Sequence, residues 1–187
     1  MSEIKDARLQ KANNLVNKGF ASYAESFQNS HNTQFLIQKF NYLEKGQEED
    51  FSVSIAGRVL AKRVMGKIAF FTISDQEGQI QLYLDKRIIN LNSEKQKLLS
   101  FEDIKEIVDI GDWIGVHGTI KKTNKGELSI KVEKWEMLSK SLQPLPDKWH
   151  GLTDIEKRYR QRYLDLIVNP HSKNVFKTRA KCISFIR

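Results

Sequence analysis

The chain has 187 residues, 40% hydrophobic and 29% charged, with a net charge of +8 at pH 7 and an isoelectric point near 9.5. That balance suits a globular domain of moderate size with attachments, and it favours an anionic partner. The single cysteine, Cys182, excludes an internal disulfide and points to a reducing compartment. No apolar run reaches membrane-spanning length and no signal-type apolar core opens the chain, so a cytoplasmic protein without a membrane partner is expected. The positive charge is uneven: residues 151–187 hold nine Lys/Arg against three Asp/Glu, which is +6 of the +8.

Residues 3–18 place Ile4, Arg8, Ala12, Leu15 and Val16 at helical spacing, with Gly19 as a C-cap. The stripe is thin, so this helix must pack on something else. Residues 20–34 read as a loop, and a second helical piece runs from about Thr33 to Leu43. After the acidic run Glu48-Glu49-Asp50, the first strand is expected to begin at Phe51, with Val53, Ile55 and Val59 in one phase. Gly57 marks a bulge or a sharp coil in it. Lys62 to Gly66 reads as a basic loop leading to Lys67.

Alternation is clear in the next two segments. Ala69, Phe71 and Ile73 oppose Ile68, Phe70 and Thr72, and Ile80, Leu82 and Leu84 oppose Gln79, Gln81 and Tyr83. A period of two sends successive side chains to opposite faces of a sheet. The wholly apolar sets must face the core. Phe70, Gln81 and Tyr83 then share the open face, beside Lys62, Arg63 and Lys67, an arrangement suited to an unstacked base and its phosphates. Asp75 to Gly78 is the hairpin turn between them.

Residues 94–109 break the strand pattern and read as one helix. Ile110-Gly111-Asp112 turns into a fourth strand with Ile114, Val116 and Ile120 inward, and Thr123 to Gly126 is a hairpin loop. In the fifth strand Leu128, Ile130 and Val132 point inward and Glu127, Ser129 and Lys131 outward. Trp135 and Met137 fall out of phase, which places a bulge or a strand exit near Glu133. Pro144 and Pro146 make Gln143 to Gly151 a stiff linker. Thr153 to Glu156 reads as a capping box opening a helix to about Val168, which carries Arg158, Arg160 and Arg162. Asn169-Pro170 opens a last helix, with Val175, Phe176, Ile183 and Ile186 on its apolar stripe and Cys182 packed near it. The stripe is still open at Arg187, so the chain is expected to continue. His31, His117, His150 and His171 lack metal-ligand spacing, and no metal site is expected.

Three strands, a helix and two more strands is the order of an OB-fold, a five-stranded barrel, here mainly β with flanking α. Oligonucleotides bind that fold on the face of strands 2 and 3 and on the loops joining strands 1–2 and 4–5. Phe70 and Gln81 fall on such a face, and Glu127 sits at the mouth of the 4–5 loop. The expected division is 1–50 helical segment, 51–140 barrel, 141–152 linker and 153–187 second helical region.

Several segments resemble the class II lysyl-tRNA synthetases: Ile55-Ala56-Gly57-Arg58, Arg63 to Lys67, Phe70, Asp75, Ile80-Gln81-Leu82-Tyr83 and Gly126-Glu127-Leu128-Ser129-Ile130. Pro144 to Leu152 and Arg158 to Ile167 do so too, and these are more specific for the lysine enzyme, since aspartate and asparagine enzymes share the barrel motifs. Lys62 stands where that family usually has Arg, and Ala24 follows Tyr23 where Pro is usual.

The resemblance, from about residue 8 to 187, implies that the barrel binds the anticodon of tRNA(Lys). Phe70 would stack on the middle base, a uridine, and Gln81 would hydrogen-bond its edge. Glu127, Lys62 and Arg63 would meet neighbouring bases and backbone, and Lys67 a phosphate. The last helix resembles the start of motif 1, the dimer-interface element, so residues 153–187 would open a class II catalytic domain. The complete enzyme would be a homodimer that attaches lysine to tRNA(Lys) with ATP and Mg2+. Motifs 2 and 3 are not in the chain, so the resemblance implies that it carries no catalytic residue, binds no cofactor and is inactive alone. The alternatives are a free-standing single-strand-binding OB protein, the anticodon domain of an aspartate or asparagine enzyme, and a protein-interaction module built on the last helix.

Overall fold

The computed structural model describes residues 2–146 and 152–187, so Asp147 to Gly151 of the expected linker lie outside the described residues. The chain forms two compact units, Met1–Gln143 and Pro144–Arg187.

The first unit contains α1 (Ser2–Asn17), α2 (Thr33–Lys39), β1 (Glu48–Met65), β2 (Ile68–Ser74), β3 (Gln79–Asp85), α3 (Lys86–Gln96), α4 (Phe101–Ile107), β4 (Trp113–Lys122) and β5 (Leu128–Ser139). The strands close on themselves in the order β1-β2-β3-β5-β4. All pairs are antiparallel except β3 with β5. The alternating apolar sets fill the interior as expected: Phe71, Ile73, Leu82, Leu84, Ile114, Val116, Ile120, Ile130 and Val132 are all fully buried. At the β2–β3 turn the Asp75 carboxylate accepts from the backbone of Glu77 and Gly78. It also accepts from the Thr33 amide and hydroxyl, each at 2.7 Å, so one side chain both closes the turn and seats α2.

The helix α1 is part of this unit. Ala12 and Leu15 are its buried residues, and Arg8 donates to the carbonyl oxygens of Ser141 at 2.8 Å and Gln143 at 3.1 Å. Gly19 ends it with φ +83, and the Phe20 amide reaches back to the Leu15 carbonyl while the Gly19 amide reaches Val16. That pair of bonds is the left-handed helix stop that glycine permits.

Four expectations need correction here, and a fifth holds. The strand β1 starts at Glu48, because Glu48 and Glu49 pair with Lys121 and Ile120 and the register slips only before Val53. The supposed basic loop is strand as far as Met65: Lys62 pairs with Phe71, Arg63 with Phe70 and Met65 with Ile68. Only Gly66 and Lys67 make the reversal, which Gly66 permits with φ +62. The β1 bulge falls at Leu60, where Val59 pairs with Ile73 but Ala61 with Thr72. Gly57 serves close approach instead: a Cβ there would stand 3.0 Å from Ile73 Cβ and 3.0 Å from the Ser74 carbonyl oxygen. The single helix over 94–109 is two helices. α3 already starts at Lys86, capped by Asp85, and stops at Lys97 with φ 53, and α4 starts afresh from a Ser100–Asp103 capping box. The bulge near Glu133 is present, since His117 pairs with Lys134 and Gly118 with Val132, and Trp135 and Met137 are buried beyond it.

The second unit has α5 (Ile155–Arg160), α6 (Arg162–Val168) and α7 (Pro170–Ile186). The expected continuous helix is broken at Gln161, which leaves helical backbone at φ −122, ψ 57. Asp154, not Thr153, caps α5 by accepting from the Lys157 amide. Asn169 precedes α7 without capping it through its side chain, which donates to Leu152 O and to Asp165 instead. Cys182 is exposed, not packed. The stripe residues Val175, Phe176, Ile183 and Ile186 are exposed as well.

Asp165 is the centre of this unit. Fully buried, it pairs with Arg158 at 2.8 Å and with Arg162, and Asn169 donates to it at 2.6 Å. Burial alone would raise its pKa. The hydrogen bonds from Asn169, Arg158, Ser172 and Arg162 outweigh that and hold the carboxyl well below the ordinary range. A depressed folded-state pKa stabilises fully above the unfolded value, about 3.9, and the contribution is lost as pH falls below it. The α6 and α7 amide resonances should therefore hold steady from pH 7 to about pH 5 and shift toward unfolded positions below about pH 4. Asp165→Asn should lower this unit's stability by about 2–3 kcal/mol, less than the full cost of breaking a buried pair because both guanidiniums reach solvent. A variant as stable as the wild type would contradict this account.

Candidate nucleic-acid interface

Across the outer face of the barrel, register places side chains in rows. Arg63 of β1 pairs with Phe70 of β2, Phe70 with Tyr83 of β3, and Tyr83 with Lys131 of β5. In a parallel row Thr72 pairs with Gln81 and Gln81 with Ser129. The β4–β5 loop stands beside these rows and turns the sheet face into a cleft of about 490 Å³. Arg63, Phe70, Gln81, Tyr83 and Glu127 all line it, joined by Lys121, Asn124 and Lys125. Four of the six residues singled out from the sequence thus meet in one place.

The other two do not line it. Lys67 is exposed in the β1–β2 turn. Lys62, one residue from Arg63 on a strand, points to the opposite side. Its ammonium donates to the carbonyl oxygens of Lys105 at 2.5 Å and Val108 at 2.7 Å, at the C-terminal end of α4. Burial pulls its pKa below the ordinary lysine value, partly offset by Asp109. Lys62 is a fastener for α4, and the loop that would have brought it to the cleft does not exist.

Within the cleft the Phe70 and Tyr83 rings meet edge to face at 5.6 Å, and Lys121 Nζ lies 4.7 Å from the Tyr83 ring centre. Phe70 is half-buried, with one side open to the cleft. Gln81 is oriented: its Oε1 accepts from the Ser129 hydroxyl at 2.9 Å. With the carbonyl oxygen engaged, the amide nitrogen has no partner among the described residues and is left as a donor. Glu127 is exposed at the loop mouth, its backbone amide donating to Thr123 Oγ1 at 3.1 Å. Glu48 bridges Lys121 at 2.7 Å and Lys131 at 2.6 Å, and the hydrogen bonds from those lysines hold its pKa below the usual carboxylate value. Arg63 has no ion-pair partner among the described residues.

Such a site offers an aromatic face for stacking, one directed N–H donor, one carboxylate acceptor and a cationic rim. These are the elements of base-plus-backbone recognition of a single strand. Sequence reasoning missed Ser129, which it placed outward and which is fully buried under Gln81, and the Glu48–Lys121–Lys131 bridge. The signal for Ser129 was its position one residue from Ile130 on the strand beside β3, legible only once the parallel pairing is known.

Residues 53–138 match the family described as OB-fold nucleic acid binding domain, under the name tRNA anti-codon. Those residues span the five-stranded barrel of the first unit. The chain as a whole is similar to proteins named lysine–tRNA ligase. The chain is 91% identical over all 187 residues to that of Prochlorococcus marinus (strain MIT 9312) and 90% to that of strain MIT 9301. It is 54% identical to that of Synechococcus sp. (strain RCC307), again along its whole length. It spans 36% of the length of each of these relatives. Among the described residues, no helix is long and apolar enough to cross a membrane.

Proposed function

We propose that the OB domain binds the anticodon of tRNA(Lys) and that the chain is the anticodon-binding part of a lysine–tRNA ligase. The observation that carries this reading is the pairing of Phe70 with an amide, Gln81, whose free donor is fixed by Ser129. A uracil stacked on Phe70 would present a carbonyl oxygen to that donor. A cytosine in the same pose would present an amino group, setting donor against donor with neither satisfied. Glu127 would accept from an N–H of a neighbouring base, and Arg63 and Lys67 would meet phosphates.

In the complete protein, lysine would be activated with ATP and Mg2+ and transferred to the tRNA in the cytoplasm. The second unit would open the class II catalytic domain, and the exposed face of α7, with Val175, Phe176 and Ile183, would be covered in a homodimer. This reading rests on the relatives' names and on the resemblance of that helix to motif 1. The chain alone would bind tRNA without forming lysyl-adenylate.

The test is a titration of the chain with two anticodon stem-loops, one carrying UUU and one UCU. The UUU loop should bind at least tenfold tighter, the discrimination of one lost and one mispaired hydrogen bond at about 1–3 kcal/mol. Equal binding would remove the lysine assignment and favour a single-strand binder without base preference.

A further inference from the structure

We infer a phosphate-binding subsite beside the OB cleft, built by Lys45 and Lys125, that takes the backbone phosphate of a nucleotide flanking the one held at Phe70. It rests on the anticodon reading above and extends the RNA-binding surface beyond the barrel, onto the turn that precedes β1.

That turn is fixed to the β4–β5 loop. The Gly46 amide donates to the Lys122 carbonyl at 2.9 Å and the Lys122 amide to the Gln47 carbonyl at 2.8 Å. Gly46 has φ +84, and a Cβ on it would stand 3.0 Å from Asn124 Oδ1. The stem of Lys45 lies over Gly126, where an added Cβ would be 3.4 Å from Lys45 Cε. Turn and loop together border an open depression of about 640 Å³, lined by Lys45, Lys122, Lys125, Glu44, Leu43 and Gly126. Lys125 also lines the Phe70 cleft, so the two hollows share a wall.

The state of the lysines separates this pair from the rest of the rim. Lys121 and Lys131 are both taken by Glu48. Lys122 Nζ is taken by the carbonyl oxygens of Leu43 at 2.8 Å and Asn41 at 3.5 Å. Lys45 and Lys125 have no acceptor among the described residues, and Glu44, on the same wall, pairs with neither. Two unspent ammonium groups on a backbone-tethered frame, next to a base-binding cleft, suit a phosphodiester. A strand whose base enters the cleft carries its next phosphate along that wall.

The experiment titrates the full chain, wild type and the variants Lys45→Ala, Lys45→Arg, Lys125→Ala and Phe70→Ala, with the UUU stem-loop at several salt concentrations. A second loop carries neutral methylphosphonate linkages on either side of the middle nucleotide. Lys45→Ala and Lys125→Ala should each weaken binding about fivefold and reduce the salt slope by about 0.7–1, as when one phosphate is no longer neutralised. Lys45→Arg should restore both. The neutral linkages should weaken the wild type but add little to Lys45→Ala. If Lys45→Ala and Lys125→Ala bind with wild-type affinity and slope while Phe70→Ala is weak, the subsite is refuted and the anticodon reading stands. The subsite is refuted equally if the neutral linkages weaken Lys45→Ala as much as the wild type. If the wild type binds no stem-loop, the anticodon reading fails and takes the subsite with it.

Discussion

Replacing Lys140 by methionine should destabilise the barrel unit by about 3–5 kcal/mol, the cost of breaking a buried ion pair from one side. The Lys140 side chain has no solvent exposure, and neither has that of Asp112, its partner at 2.7 Å. The same ammonium reaches Asp109 at 2.6 Å and the Ile107 carbonyl at 2.6 Å. One point charge therefore ties the end of α4, the turn into β4 and the exit of β5. Methionine fills the volume but donates nothing. Asp112 would keep the backbone amides of Asp109 at 2.7 Å and Ser141 at 2.7 Å, yet would remain a buried carboxylate without a cation. The urea midpoint of the barrel unit should fall sharply with an unchanged slope. A loss below about 1 kcal/mol would mean that the two amides suffice and that the lysine adds only fit.

What could be read from the chain, and what could not, divides by range. Local alternation placed Phe70 and Gln81 on one open face correctly, because a strand's period of two needs no knowledge of its partner. The bulge at Glu133 was readable for the same reason: Val132 and Trp135 cannot both face inward without an extra residue. Lys62 was misplaced because two adjacent basic residues, Lys62 and Arg63, shortly before Gly66 look like a loop. Only pairing with β2 shows that alternation continues to Met65. The break between α3 and α4 did have a local signal, Ser100 followed three residues later by Asp103, and a capping box there is as good a start as any in the chain. The interruption at Gln161 had none; it follows from the convergence of Arg158, Arg162 and Asn169 on Asp165. The burial of Ser129 and the Glu48 bridge depend on strands 48 and 73–83 residues apart in sequence, and no window of residues contains them.

Phe70→Ala should weaken binding of the UUU stem-loop about tenfold or more, and of the UCU loop by a similar factor. A base stacked on an aromatic ring contributes about 1–3 kcal/mol whatever its identity. The Phe70 ring already packs edge-on to Tyr83, so its open face is held ready and little ordering entropy is spent on binding. Gln81 should behave differently, because it acts on one edge of one base. Gln81→Ala removes the donor and should narrow the gap between the two loops by weakening the UUU loop alone. Gln81→Glu goes further. The Ser129 hydroxyl can still donate to one carboxylate oxygen, leaving the other as an acceptor where the amide offered a donor. The preference should then reverse toward UCU, whose cytosine presents an amino group at that point. Ser129→Ala sets the limit of this logic: it frees the Gln81 amide to turn either way, so discrimination should fall while overall affinity changes little. Titrations of the four variants against both loops separate the roles. Loss of discrimination in Phe70→Ala with Gln81→Ala unchanged would assign base reading to the wrong side chain. A Gln81→Glu variant that still prefers UUU would show that the amide is not aimed at the base edge, and the orientation set by Ser129 would have no part in recognition.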